Sequence, residues 1–212
     1  MLAAGLGPDE APHHLETLQS GRAVVACINS LSLVTISGDV EEQLAAGKIF
    51  ARQLKVCAAY HSHQMLPQVE DDLAFLSAKF SLTPETFGEV RYSSPVSGKT
   101  IWYGDQLGPQ NWVDNMTKPV LFAQSLSNMC CGQAQVGDLE MQQLVDTIVE
   151  VGPHSALGGP VRQVLSQAHL KGLGISHASC LERNKNAVIM MHHLACKLIT
   201  QGYPVKLMNE IG

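Results

Sequence analysis

Aromatic residues make up only 5% of the 212-residue chain, so any core must be built from aliphatic side chains, chiefly Leu, Val, Ile, Ala and Met. Charged residues are also few, at 16%, and 14 Lys and Arg against 19 Asp and Glu leave a net charge of −5. A mildly acidic chain offers no basic field to a phosphate backbone, which argues against nucleic-acid binding. No apolar run reaches the ~18 residues needed to span a bilayer. The nearest candidate, Ala187 to Thr200, is interrupted by His192, His193 and Lys197. The opening residues, Met-Leu-Ala-Ala-Gly-Leu-Gly-Pro, have neither the basic segment nor the apolar length of a signal peptide. These absences favour a soluble, cytoplasmic chain with no membrane and no nucleic-acid partner.

Several chemical signatures are missing as well. There is no Walker-type phosphate loop, no Rossmann fingerprint and no G-x-S-x-G nucleophile elbow. Cys27, Cys57, Cys130, Cys131, Cys180 and Cys196 show no zinc-type spacing, and the adjacent pair Cys130-Cys131 cannot act as a CxxC arm. In a chain without a secretory signal they are expected to be thiols, mainly buried, and poor nucleophiles for that reason.

What is present falls into two parts. From Ala3 to Val56 the order is apolar stretch, helix, two β-branched runs, short helix, strand. The elements are Ala3–Leu6, a helix from Pro8 to Leu18, strands at Ala23–Ile28 and Leu33–Ser37, a helix at Val40–Ala46 and a strand at Ile49–Val56. That β-α-β-β-α-β order is the split ferredoxin-like unit. Beyond it, Met65, Leu66, Val69, Leu73 and Leu76 recur at helical spacing, with the regular helix starting near Pro67. A loop covers Ser93 to Pro109, and a helix from Trp112 to Leu126 is interrupted at Pro119. Thr147 to Val151 reads as a buried-type strand ended by Gly152-Pro153, and helices follow at Pro160–Ala168 and Lys185–Gln201.

The densest reactive cluster is Tyr60-His61-Ser62-His63, directly after the last strand of the first unit. Three readings compete. His61 and His63 form an HxH pair, but no other residue supplies a matching third or fourth metal ligand. The stretch can also be a polar surface turn. Finally, a turn between strand and helix can project a histidine as general base; the dipole of the following helix favours the neutral ring only slightly, because Pro67 sets the helix start back. Ser62 is a poor partner for such a base, because neighbours along an extended or turning backbone point in different directions.

Six motifs then occur in a familiar order: Ala23 to Ser30, Val34 to Asp39, Phe50 to Val56, Ala59-Tyr60-His61-Ser62-His63, Trp112 to Asn115 with Pro119 to Phe122, and Val149 to Leu157. Together they resemble the acyltransferase (malonyl-CoA:acyl carrier protein transacylase) domain of fungal iterative, highly reducing polyketide synthases, over nearly the whole chain. The resemblance implies an α/β fold in which residues 1–58 form a ferredoxin-like subdomain and residues 59–212 the carboxy-terminal part of an α/β-hydrolase-like subdomain. It implies ping-pong acyl transfer by a Ser-His pair, from malonyl-CoA to the phosphopantetheine thiol of an acyl carrier protein. No cofactor or metal is implied beyond these substrates. The partners implied are the carrier protein and the remaining synthase domains.

In this family His61 matches the catalytic histidine, and Ala58 and Tyr60 fall in the stretch tied to the choice of acyl group. Asn115 falls where a backbone carbonyl orients the imidazole. The family's G-H-S-x-G elbow and its carboxylate-binding arginine lie upstream of the ferredoxin-like insert, where this chain begins. The chain alone is therefore expected to be inactive, and Ile148, Val149 and Val151 are expected to be exposed on at least one side. The helix between Gly38 and Ile49 is also about two turns shorter than the family's, at ~3.6 residues per turn. The alternative is a non-catalytic module that docks a carrier protein or partner subunit.

Overall fold

The computed structural model describes residues 1–18, 21–39, 49–80, 83–133 and 142–206. The first part is a four-stranded sheet built from β1 (Leu2–Ala4), β2 (Ala23–Ser30), β3 (Leu33–Gly38) and β4 (Ala51–Gln53). Its strand order is β2-β3-β1-β4, and every neighbouring pair is antiparallel. Helix α1 (Ala11–Glu16) connects β1 to β2. Leu2, Ala4, Leu6, Ala11, Val34 and Ile36 form its core, with Leu15, Val25 and Ala51 packed at the margin. The β-branched run Val34-Thr35-Ile36 is buried at all three positions, which is why this short strand can anchor the sheet. At Gly38, with φ of +131°, a Cβ would lie 2.2 Å from the Arg22 carbonyl oxygen, so only glycine fits the end of the hairpin.

The strand expected over Ile49–Val56 shrinks to Ala51–Gln53, because β1 offers only three residues to pair with it. The helix expected at Val40–Ala46, with its shortened length, lies outside the described residues.

Past the sheet, a 3₁₀ turn at His63–Gln68 runs into α2 (Val69–Lys79), with Pro67 in the last part of the turn. The hairpin β5 (Tyr92–Ser93) and β6 (Thr100–Ile101) occupies what reads in sequence as loop. Helices α3 (Pro109–Thr117) and α4 (Phe122–Cys130) are separated by the expected break at Pro119. The small pair β7 (Cys131–Gly132) and β8 (Gln142–Gln143) follows.

The remaining elements are β9 (Thr147–Glu150), α5 (Gly158–Leu165), β10 (Ser176–Ser179) and α6 (Ala187–Thr200). Strands β9 and β10 pair in parallel. The Asn186 side chain caps α6 by accepting from the Ile189 N–H at 3.2 Å. A second core joins Ala123, Leu126, Cys130, Ile148, Val161, Val164 and Leu170. The expectation of exposure therefore fails for Ile148, which α4 and α5 cover; Val149 is half-buried, and only Val151, 86% exposed just past the end of β9, is open to solvent as expected.

The two parts are joined through Val120. Its N–H donates to the Ala26 carbonyl and its carbonyl accepts from the Ile28 N–H, both at 2.8 Å, so the segment between α3 and α4 lies along β2. Among the described residues no helix is long and apolar enough to cross a membrane.

Candidate functional site

His61 is held where the first sheet, α3 and the 3₁₀ turn meet, and the sequence explains how. Helix α3 ends at Thr117 because Lys118 precedes Pro119 and is pushed into extended backbone, φ −94° and ψ 159°. The carbonyls of its last turn need partners from elsewhere. Asn115 would be served by the N–H of residue 119, which proline lacks, and Met116 by Val120, whose N–H goes to Ala26 instead. Two nearby carbonyls are taken up by His61. Its backbone N–H donates to Met116 at 2.9 Å, and its ring Nδ1 lies 3.1 Å from the Lys118 carbonyl oxygen.

A carbonyl oxygen only accepts, so Nδ1 carries the hydrogen and the Nε2 of the neutral ring keeps its lone pair. That is the arrangement a general base requires. The carbonyl beside the imidazole is that of Lys118 rather than Asn115, three residues earlier. A main-chain contact depends on where the helix stops, and the side chain at that position leaves no trace of it.

His61 itself has φ of +59°, in a left-handed region that few non-glycine residues enter. Ser62, next to it, is buried and serves as N-cap of the 3₁₀ turn. Ala58 and Ala59 are half-buried, and Tyr60 is 47% exposed with its ring centroid 6.4 Å from that of His61. The sequence cluster is therefore a structural cluster too, although Ser62 turns away from the imidazole. His63 is half-buried, and its Nδ1 has no hydrogen-bond partner. Among the described residues no group of three His, Cys, Asp or Glu is placed to hold a metal ion.

Two other histidines have reactive neighbours. Ser127 Oγ lies 2.6 Å from His169 Nε2, but Ser127 sits inside α4, where no backbone N–H is free to hold an oxyanion. His177 Nε2 lies 3.3 Å from Glu150 Oε2 without hydrogen-bond alignment. The Glu150 carboxylate instead accepts from the Leu157 N–H at 2.9 Å and the Ser155 hydroxyl at 3.3 Å, fixing the Gly152-Pro153-His154-Ser155 loop. His154 Nδ1 accepts from the Arg183 N–H at 3.2 Å, so that motif is scaffold.

The cysteines differ from expectation: only Cys130 is buried, while Cys57 and Cys196 are exposed at positions where the fold leaves a loop and an outer helix face uncovered. Burial, with the neighbouring Cys131 charge, pushes the Cys130 thiol up to about 11, and burial also raises Cys27 against a hydrogen bond from Thr35. Neither is poised as a thiolate.

Met116 and Lys118 contact His61 through main-chain carbonyls that their side chains do not advertise. The available signal was the Lys118-Pro119 step, which both ends the helix and releases its carbonyls.

No family model matches the chain. It is 47% identical over 214 residues to the highly reducing polyketide synthase poxF of Penicillium oxalicum, a match covering 98% of this chain and 8% of that protein. The chain thus spans under a tenth of the length of the curated relatives it matches. Among solved structures, the acyltransferase domain from module 8 of the salinomycin polyketide synthase superposes with a TM-score of 0.77 at 21% identity, covering 96% of this chain and 45% of that one. The malonyl CoA-acyl carrier protein transacylase of Clostridium perfringens gives 0.70 at 21% identity, over 95% of this chain and 58% of that one. Over nearly its whole length the chain is thus similar to a segment of fungal highly reducing polyketide synthases, and it has the fold of part of an acyltransferase domain.

Proposed function

We propose that the chain is the histidine-bearing part of an acyltransferase unit that loads malonyl extender groups from CoA onto an acyl carrier protein. The observation that carries this reading is the His61 ring, with Nδ1 committed to a backbone carbonyl and Nε2 left to accept a proton. In the proposed cycle a serine from the segment that precedes this one in the relatives gives its proton to Nε2 and attacks the thioester carbonyl. The C–S bond breaks, the departing CoA sulfur takes the proton from Nε2, and malonyl remains on the serine. The phosphopantetheine thiol then gives its proton to Nε2 and displaces the serine oxygen, which recovers that proton. Backbone N–H groups stabilise the oxyanion in both halves.

Ala58 and Tyr60 line the acyl pocket in this reading, and the Lys118 carbonyl orients the base. The division into a ferredoxin-like subdomain at residues 1–58 and a hydrolase-like part at 59–212 is supported by the antiparallel β2-β3-β1-β4 order and by the parallel β9–β10 pair. With no G-x-S-x-G among its 212 residues, the chain on its own does not transfer malonyl groups.

Co-expression with the upstream segment of a relative tests the reading. Restored transfer that is abolished in His61→Ala supports it, whereas carrier-protein binding with no turnover supports a docking module instead.

A further inference from the structure

Ser62 stands beside the proposed base but is committed elsewhere. Its side chain is 2% exposed; Oγ donates to the Ala59 carbonyl at 2.6 Å and accepts from the Gln64 N–H at 3.2 Å. The hydroxyl's single proton is used inside the turn, so it is not available to the imidazole as a nucleophile's would be. What that bond does is close the Ala59–Ser62 turn, and His61 lies within this turn at φ +59°. A left-handed histidine persists only where its surroundings over-determine it.

The surroundings here are two anchors with Ser62 between them. On one side, His61 bonds to the Met116 and Lys118 carbonyls at the end of α3. On the other, Gln64 Nε2 donates to Asp39 Oδ1 at 2.8 Å, and Asp39 is tied to Arg22 by two bonds: Oδ2 accepts from the Arg22 N–H at 3.2 Å and the Asp39 N–H donates to its carbonyl at 3.1 Å. The loop is thus suspended between α3 and the end of β3, and the Ser62 hydroxyl fixes the conformation of the chain between them. Without it, the Ala59 carbonyl loses its partner and the left-handed turn loses the bond that offsets its strain.

We propose that Ser62 is a positioning residue for His61: its hydroxyl holds the turn that presents Nδ1 to the Lys118 carbonyl and thereby keeps Nε2 free. The functional consequence rests on reading His61 as the base, but the first test does not involve transfer.

In the 212-residue chain, ¹⁵N-histidine NMR of the neutral His61 ring reads its tautomer directly. The expected result is a dominant Nδ1–H form in the unsubstituted chain and loss of that dominance in Ser62→Ala. Should Ser62→Ala lose its dispersed spectrum, the near-isosteric Ser62→Cys, a weak donor, shows the same change to a smaller degree. An Nδ1–H form that stays dominant in a folded variant overturns the inference, as does its absence from the unsubstituted chain. In the co-expressed enzyme Ser62→Ala then lowers kcat by at least ~10²-fold with KM for malonyl-CoA unchanged, as expected for a mis-set tautomer. A rise in KM alone overturns it. If the tautomer shifts as expected but His61→Ala retains full transfer, the positioning stands and the assignment of His61 as base falls.

Discussion

The two sheets of this chain are unequal in how much of their own core they supply. The antiparallel sheet of β1 to β4 closes over six buried residues drawn from within the first 36 positions. The parallel pair β9–β10 has four residues per strand and, among the described residues, no strand on either outer edge. Beside it Val151 is exposed, as are Val188, Ile189 and Met191 on α6. Parallel strands are usually covered on both faces by elements distant in sequence, whereas a local antiparallel sheet can be assembled from its own hairpins and helix. The loop that carries His61 is held between Asp39 at the end of β3 and the last turn of α3, so both parts of the chain contribute to its placement.

The sharpest way to break this comparison is to place a charge in each region. Ile36→Asp buries an unpaired carboxylate in the first core and is expected to cost more than ~4 kcal/mol, enough to unfold the sheet. Val151→Asp changes an exposed residue and is expected to stay within ~0.5 kcal/mol in urea titration. Equal effects would abolish the distinction.

A smaller change sharpens it. Gly38→Ala forces a Cβ against the Arg22 carbonyl at a positive φ, and about 2 kcal/mol of lost stability is expected. Because Asp39 follows directly, the same variant is expected to weaken the Gln64 anchor and broaden the His61 NMR signals.

The second core can be probed through pH. Cys130 titrates at about 11 when folded against an ordinary value of 9.0. The folded state holds that proton more tightly, so the contribution is fully present below pH 9 and is lost as pH rises towards 11. The loss is on the order of 2 kcal/mol, and Cys130→Ala is expected to remove that part of the slope in Tm against pH. The exposed Cys57 and Cys196 are expected to alkylate well before Cys130 in mass-spectrometric mapping.

Legibility in the sequence follows the same division. Strands β2 and β3, helix α2, the break at Pro119 and helix α6 carry periodicity or punctuation that survives folding with little change. Strand β10 does not, since Ser176-His177-Ala178-Ser179 has no apolar alternation and owes its pairing to β9. At the candidate site, the cluster of polar and aromatic side chains around His61 was legible from residue type and place. The left-handed backbone of His61, the commitment of Ser62 to Ala59 and the identity of the orienting carbonyl were not. All three arise from how the main chain turns, to which side-chain chemistry gives little clue.

In the proposed function His61 is the proton acceptor for a serine carried on another segment. The direct measurement is the rate of covalent malonyl loading from malonyl-CoA onto the co-expressed upstream segment, compared between the unsubstituted chain and His61→Ala. The expected result is a fall of about 10⁴-fold or more, in line with the loss of one member of a cooperating Ser-His pair. Loading at an undiminished rate in His61→Ala would contradict it.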